Sequence, residues 1–184
     1  MIEELLHTVS QNLDNTKIPY MIIGGQAVLV YGTPRFTRDI DITLGVDTDK
    51  FALINKVCVE SGLKILPEDP VDFVMDTKVL PAEEPESRIR VDFIFSFTEY
   101  ESQAIKRTKE IQIDNYPVKF ASCEDVIIHK MIAARQIDIE DVKNILIKNS
   151  DSISTEYINN WLLKFSEMPG HEDILKKFEN ILEE

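Results

Sequence analysis

Three aspartates are the residues of this chain best placed by type and spacing to do chemistry. Asp39 and Asp41 stand one residue apart in RDIDITL, and Asp92 lies inside the apolar run IRVDFIF. Successive side chains of a β-strand point to opposite faces, so Asp39 and Asp41 share one face and Ile40, Ile42 and Leu44 take the other. Two carboxylates ~4 Å apart at an effective dielectric near ~20 repel by about 4 kcal/mol, and a third acid adds to this unless protons or cations compensate. Mg²⁺, a hard cation with a preference for oxygen ligands, is the natural compensator. Asp39, Asp41 and Asp92 are therefore the expected metal ligands and catalytic acids.

Upstream, the apolar run YMII ends in Gly24-Gly25 and opens onto a helix-like QAVLVYG. A strand that turns through glycines into a helix offers unpaired backbone N–H groups with no side chain in front of them, which suits phosphate. A glycine pair alone equally suits a tight turn. Here the two aspartates follow after 13 intervening residues. Arg35, Thr37 and Arg38 precede the acids on the connecting loop. Arg35 and Thr37 either overhang the phosphates or balance the carboxylate charge, and Arg38, on the face opposite the acids, fits charge balance better.

The ordered set Gly24-Gly25, Asp39, Asp41 and Asp92 resembles the nucleotidyltransferase superfamily with a DNA polymerase β-like core. Within it, GGQAVLVYG, RFTRDIDITL and HKMIAARQIDIEDV look like AbiEii/MenT-type nucleotidyltransferases, many of them toxins or phage-defence proteins. The resemblance runs from about Pro19 to Leu146, with RxTxDID its most specific piece. It implies an α/β (α+β) fold: a small mixed sheet flanked by helices, with a C-terminal helical region. It also implies transfer of a nucleoside monophosphate from a nucleoside triphosphate to a hydroxyl acceptor. Asp39 and Asp41 would hold two Mg²⁺ ions ~3.5 to 4 Å apart, and Asp92 would complete the first site and take the hydroxyl proton.

Lys130 falls in line with Ile127, Met131 and Ala134 rather than on the polar side of its helix, so it needs a partner. The resemblance gives it an active-site role, contacting triphosphate or holding a catalytic carboxylate; otherwise its stem packs on the core and its ammonium reaches water. Arg135, Asp138 and Asp141 follow at RxxDxxD spacing. Asp138 suits a helix cap, and Asp141 a first-turn acid that also orients the site. Ser122-x-x-Asp125 reads as a capping box. Trp161 reads as core or interface, and His7 and His171 as surface or packing residues.

The elements that position these residues follow from periodicity. A helix over 2–14 leads to a strand at 20–23, a short helix from Gly25, the strand RDIDITL, and a helix capped by Asp47 or Thr48 that ends near Gly62. Residues 63–97 read as strands separated by acidic, Pro-rich turns, with Val91, Phe93, Phe95 and Phe97 on the buried face of the last. A helix over 99–106 and strands around Ile111 and Val118 precede helices at 123–134, 139–149, 154–165 and 171–182. The expected division is a nucleotidyltransferase core over 1–120 and a helical region over 121–184.

With 184 residues, 43% of them hydrophobic, the chain can bury a real core. No stretch approaches the ~20 apolar residues of a bilayer span and the N-terminus lacks a secretory pattern, so a cytoplasmic protein with no membrane partner is expected. Cys58 and Cys123 belong to no ligand cluster and read as reduced, mostly buried thiols. The formal charge of −13 opposes extended nucleic-acid contact while leaving room for a local basic cleft. Three acceptors remain: a tRNA end or protein hydroxyl in a toxin-like enzyme with an antitoxin partner, or a small molecule of the aminoglycoside type. A catalytically silent binding module is the alternative of another class, disfavoured by the intact acids.

Overall fold

The structure, a computed structural model, describes residues 1–183. The chain forms two compact units, Met1–Gln26 with Phe36–Ala121, and Ala27–Arg35 with the segment from Ser122 onward.

The first unit is built on a seven-stranded mixed sheet. In chain order its strands are β1 (Tyr20–Ile23), β2 (Asp39–Leu44), β3 (Lys64–Ile65), β4 (Val79–Glu83), β5 (Arg90–Phe95), β6 (Lys109–Ile113) and β7 (Tyr116–Phe120), arranged β3-β4-β5-β2-β1-β7-β6. All four residues of β1 are buried, as befits a central strand between antiparallel β2 and parallel β7. β2 runs parallel to β5, so the intervening chain must cross over, and α3 (Phe51–Glu60) and α4 (Pro70–Thr77) lie on that crossover. β6 and β7 close as a hairpin through Asp114 and Asn115, both at positive φ. Two consecutive left-handed residues give the type I′ turn whose twist matches the strands, and Asp and Asn tolerate it best after glycine.

Helix α1 (Ile2–Thr16) buries Leu5, Leu6, Val9 and Leu13, a stripe at helical spacing, and packs on α3 and β7. Fully burying each such side chain contributes about 1.5–3 kcal/mol. The chain leaves α1 through Lys17 in the left-handed conformation.

The second unit takes α2 (Gly24–Tyr31) from Ala27 onward, and then α6 (Cys123–Ala133), α7 (Gln136–Asn149), α8 (Thr155–Phe165) and α9 (Ile174–Glu183). Between the two groups of helices in sequence lies α5 (Glu99–Lys106), which belongs to the first unit. α6 packs against α7, α8 and α9 around Ile127, Met131, Val142, Ile145, Leu162 and Phe178, all of them buried. Ser122 caps α6, its hydroxyl accepting from the Asp125 N–H at 3.2 Å and donating to the Asp125 carboxylate at 2.6 Å.

The structure departs from the sequence expectation in three places. Residues 70–77 form a helix, not a strand, with Pro70 at its first position, where the missing N–H costs nothing. α7 starts at Gln136, three residues before the expected 139, because the Asp138 carboxylate accepts from the Arg135 backbone N–H at 3.2 Å and so caps an earlier turn. Phe97, expected on the buried face, is 70% exposed, since β5 ends at Phe95 and the alternation stops with it.

Candidate active site

The sheet register brings the predicted acids together. On parallel neighbours β2 and β5, Asp41 pairs with Asp92 and Asp39 pairs with Arg90. Paired residues on adjacent strands share a face, so all four side chains stand on one side of the sheet as two facing rows. Ile40, Ile42, Val91 and Phe93 point the other way and are fully buried. The local sequence thus anchors each strand by its apolar residues and leaves its aspartates on the open face. Asp39 is exposed, while Asp41 and Asp92 are half-buried.

The glycine turn is fitted against these acids. Gly24 has φ +64°, and a Cβ there would fall 1.9 Å from the Asp41 carboxylate. A Cβ on Gly25 would fall 2.5 Å from the Thr37 hydroxyl. The backbone at the start of α2 therefore lies directly against Asp41 on one side and Thr37 on the other. Gln26, in the first turn of α2, donates to the Asp39 carbonyl at 3.3 Å and ties the helix start to the β2 start. The first N–H groups of α2 have no partner within the helix, and the glycines keep their approach clear of side chains.

Arg90, which strand alternation puts on the same face as Asp92, supplies a cation there and was not among the expected site residues. Its Nε–H donates to Asp92 Oδ1 at 2.8 Å. That hydrogen bond, opposed by partial burial and reinforced by the charges of Asp92, Asp39 and Asp41, raises the Arg90 pKa above its ordinary value. The signal available in the sequence was parity, since Arg90 stands two residues from Asp92 and must share its face. As the side chains stand, no three carboxylate, imidazole or thiolate groups among the described residues are grouped to hold a metal ion. The donor set nonetheless fits one, because carboxylate oxygens on one face suit a hard divalent cation.

Beside Arg90 on the same unit lies an open cleft of about 600 Å³, lined by Pro81, Phe73 and four acids, Glu68, Asp69, Asp72 and Asp76. Pro81 pairs with Asp92 across β4 and β5, so the cleft reaches the face that carries the acids. These residues were missed because α4 was read as strand.

The other expected site residues gather in the second unit. Lys130 Nζ lies 2.7 Å from Asp138 and 2.9 Å from Asp141, and all three side chains are buried. Arg35 makes a forked contact with Asp141, 3.2 Å at each nitrogen, and the largely exposed Arg135 grips Asp138 at 2.7 and 3.1 Å. Three cations thus share two carboxylates. Burial pushes the Asp138 pKa up, but its hydrogen bonds from Arg135 and Lys130 outweigh this and leave it below the ordinary value. Arg38 lies over the ring of the exposed Phe36, 5.2 Å from its centre. Burial pushes the thiols of Cys58 and Cys123 up to about 12, which keeps both protonated and inert.

A family described as nucleotidyltransferases of unknown function (DUF6036) matches residues 1–178. The chain belongs to that family. Its membership places it among nucleotidyltransferases without supporting the AbiEii/MenT subtype. No curated protein matches it in sequence. Solved structures match its fold: ANT(2")-Ia in complex with adenylyl-2"-tobramycin (18% identity, 90% of this chain and 97% of that one, TM-score 0.61) and the lincomycin-bound lincosamide antibiotic adenylyltransferase LnuA (17%, 77% and 94%, 0.53). An antigenic nucleotidyltransferase-like protein from Paracoccidioides brasiliensis matches as well (18%, 95% and 92%, 0.57). At such identities the likeness is one of fold. Among the described residues no helix is long and apolar enough to cross a membrane.

Proposed function

We propose that this protein moves a nucleoside monophosphate from a nucleoside triphosphate to a hydroxyl group of its acceptor. The observation that carries the reading is the register of β2 and β5, which sets Asp41 beside Asp92 with Asp39 on the same face, against a turn that only glycine can make. In this reading Asp39 and Asp41 hold divalent cations, Mg²⁺ by choice of ligand, and Asp92 completes the set. Bound there, the cations supply Lewis-acid stabilisation of the charge that develops on the phosphate oxygens. The chain's own groups do the rest. Backbone N–H groups at the start of α2 receive phosphate oxygens, Thr37 braces Gly25 so that this backbone keeps its position, and Asp92 accepts the proton of the attacking hydroxyl. Lys130 and Arg35 balance the buried carboxylates of Asp138 and Asp141 inside the second unit.

The acidic cleft favours an acceptor that carries positive charge. Four carboxylates beside the reacting face, on a chain of net charge −13, repel a polyanion and attract an amine-bearing hydroxyl compound. This ranks a cationic small molecule above a tRNA end, and ANT(2")-Ia and LnuA, which share the fold, have structures with tobramycin and lincomycin derivatives or ligands bound. A toxin-like role with an antitoxin partner rests on the resemblance of GGQAVLVYG, RFTRDIDITL and HKMIAARQIDIEDV alone.

Incubation with labelled nucleoside triphosphates and Mg²⁺, offered total RNA, cell protein and a panel of polyamine and aminoglycoside compounds, tests both levels. Label on a cationic small molecule with the parent protein, and none with Asp39→Ala, is the expected result. Label on RNA would remove the acceptor assignment, and no label on any acceptor would remove the transferase reading.

A further inference from the structure

The second unit carries an open aliphatic groove of about 480 Å³ along the outer flank of α7. Its walls are Leu146 and Ile147 of α7 and Ile181 and Leu182 of α9, with Ile153 of the turn after α7 between them. Ile147 is 77% exposed and Leu182 44%. Lys143, Leu146, Ile147 and Ser150 follow at i, i+3, i+4 and i+7, the spacing of one helix face. α7 therefore has an outer face with apolar residues besides the inner one that buries Val142 and Ile145. α9 is amphipathic too, and while Ile174 and Phe178 at its start are buried, the same stripe comes out into the groove at Ile181 and Leu182. Each such side chain left in water forgoes about 1.5–3 kcal/mol, and a contiguous exposed apolar patch marks an interaction surface.

The charges along α7 indicate what fits this groove. Lys143 stands four residues before Ile147 and Asp151 four residues after it, and Ser150, in right-handed helical conformation, carries the face on to the exposed Asp151. The face is thus antisymmetric in charge about Ile147. When two copies of such a helix lie antiparallel across a two-fold axis at Ile147, the position four before meets the position four after, and Lys143 of each copy faces Asp151 of the other. Among the described residues no carboxylate lines the groove. At ~0.15 M salt, charges more than about 8 Å apart are largely screened, so the net charge of −13 on each chain opposes contact here less than elsewhere.

We infer that the groove between α7 and α9 receives a second copy of this chain, packed about a two-fold axis at Ile147 with the two α7 helices antiparallel. Each Ile147 fills the other copy's groove, and the Lys143 and Asp151 pairs at the rim fix the direction of packing. The pairing makes no use of the acid face, so it stands or falls separately from nucleotidyl transfer.

Sedimentation equilibrium of the full chain reads the pairing directly, and melting temperatures establish that each variant is folded. The parent is expected to form a dimer. Ile147→Ser, at a position too exposed to disturb the fold, should weaken it on the order of tenfold or more. Lys143→Glu and Asp151→Lys should each weaken it severalfold, and the two together should restore it, because the pairs are then re-formed with signs exchanged. Under mild oxidation Ile147→Cys should link two chains across the axis, and Phe97→Cys, equally open to solvent in the other unit, should not. Cys58 and Cys123, whose thiols burial keeps protonated, leave that reading clean. A parent that stays monomeric up to on the order of 100 μM, or a dimer indifferent to Ile147→Ser, would overturn the inference. So would a dimer weakened by the single charge reversals and not restored by the double one. A monomeric parent whose Ile147→Cys thiol is shielded from alkylation by an added fatty acid would give the groove to a small aliphatic ligand and overturn it as well.

Discussion

Gly24 and Asp41 are in contact so close that the glycine's missing side chain is what makes room for the carboxylate: a Cβ on Gly24 would sit 1.9 Å from Asp41 Oδ2. The turn that presents backbone N–H groups and the strand that presents the acid are thereby one packed unit. The spacing between the backbone at the start of α2 and the Asp41 carboxylate is built into the fold at this point.

Gly24→Ala is therefore expected to act twice. The left-handed backbone at φ +64° costs a side-chain-bearing residue about 1–2 kcal/mol, and the added methyl drives the Asp41 carboxylate out of position. Chemical denaturation should register the stability loss, and labelled-nucleotide transfer should fall far more than stability alone accounts for. A variant that is less stable by that amount yet transfers at the parental rate would show that Asp41 does not need its place.

Asp41→Ala separates ligand binding from folding. Asp41 stands across from Asp92 and two residues from Asp39 on one face, so its removal relieves like-charge crowding. Thermal stability of the free protein should hold or rise, while transfer falls by at least on the order of 10²-fold, as loss of a preorganised group in the reacting zone does. The discriminating measurement is the melting shift on adding Mg²⁺ with nucleotide, which should be large in the parent and nearly absent in the variant. Equal shifts in both would contradict the ligand assignment.

The acid face was legible because period-two alternation in RDIDITL and IRVDFIF leaves only one side for the aspartates, and both strands are long enough for the pattern to show. Which strands are neighbours is not written in that pattern; the β2 to β5 register is what turns three scattered acids into a cluster. Residues 70–77 differ from the strand expectation for 63–97 because the helical signals in PVDFVMDT are slight: Pro70 at the first position and Asp72 and Asp76 at i,i+4 spacing, in a stretch only two turns long. The acidic cleft was lost along with that helix. Lys130 was recognised as an oddity from its position among apolar neighbours, but the identity of its partners depends on how α7 folds back on α6, which no local signal encodes.

Lys130→Met should expose how much that network contributes. Its ammonium neutralises two buried carboxylates at 2.7 and 2.9 Å, and removal of one partner from a buried ionic cluster typically costs about 3–5 kcal/mol because the remaining charge is left uncompensated. Here Arg135 still holds Asp138 and Arg35 still holds Asp141, so the lower end of that range is expected in urea denaturation. If transfer per folded molecule is unchanged, Lys130 serves the fold of its own unit; if it falls, Lys130 serves the chemistry as well.

Acid titration gives Asp138 its own signature. Its pKa in the folded protein lies below the ordinary 3.8, so the folded state favours the charged form. Stability from this group is accordingly present above the unfolded value and lost as pH falls through the folded one. Asp138→Asn removes the titration while keeping the shape. The stability difference between parent and variant, measured by urea denaturation from pH 7 downward, should hold steady until about pH 5 and then shrink as pH passes below the ordinary carboxylate range. Repeating the titration in Arg135→Ala should leave the start of that decline in place, since the unfolded carboxylate sets it, and make the decline smaller and complete at higher pH, because Arg135 donates two of the hydrogen bonds that hold the folded carboxylate charged. A difference that stays constant down to pH 3 would mean that Asp138 stabilises α7 by shape and capping alone, with its charge playing no part.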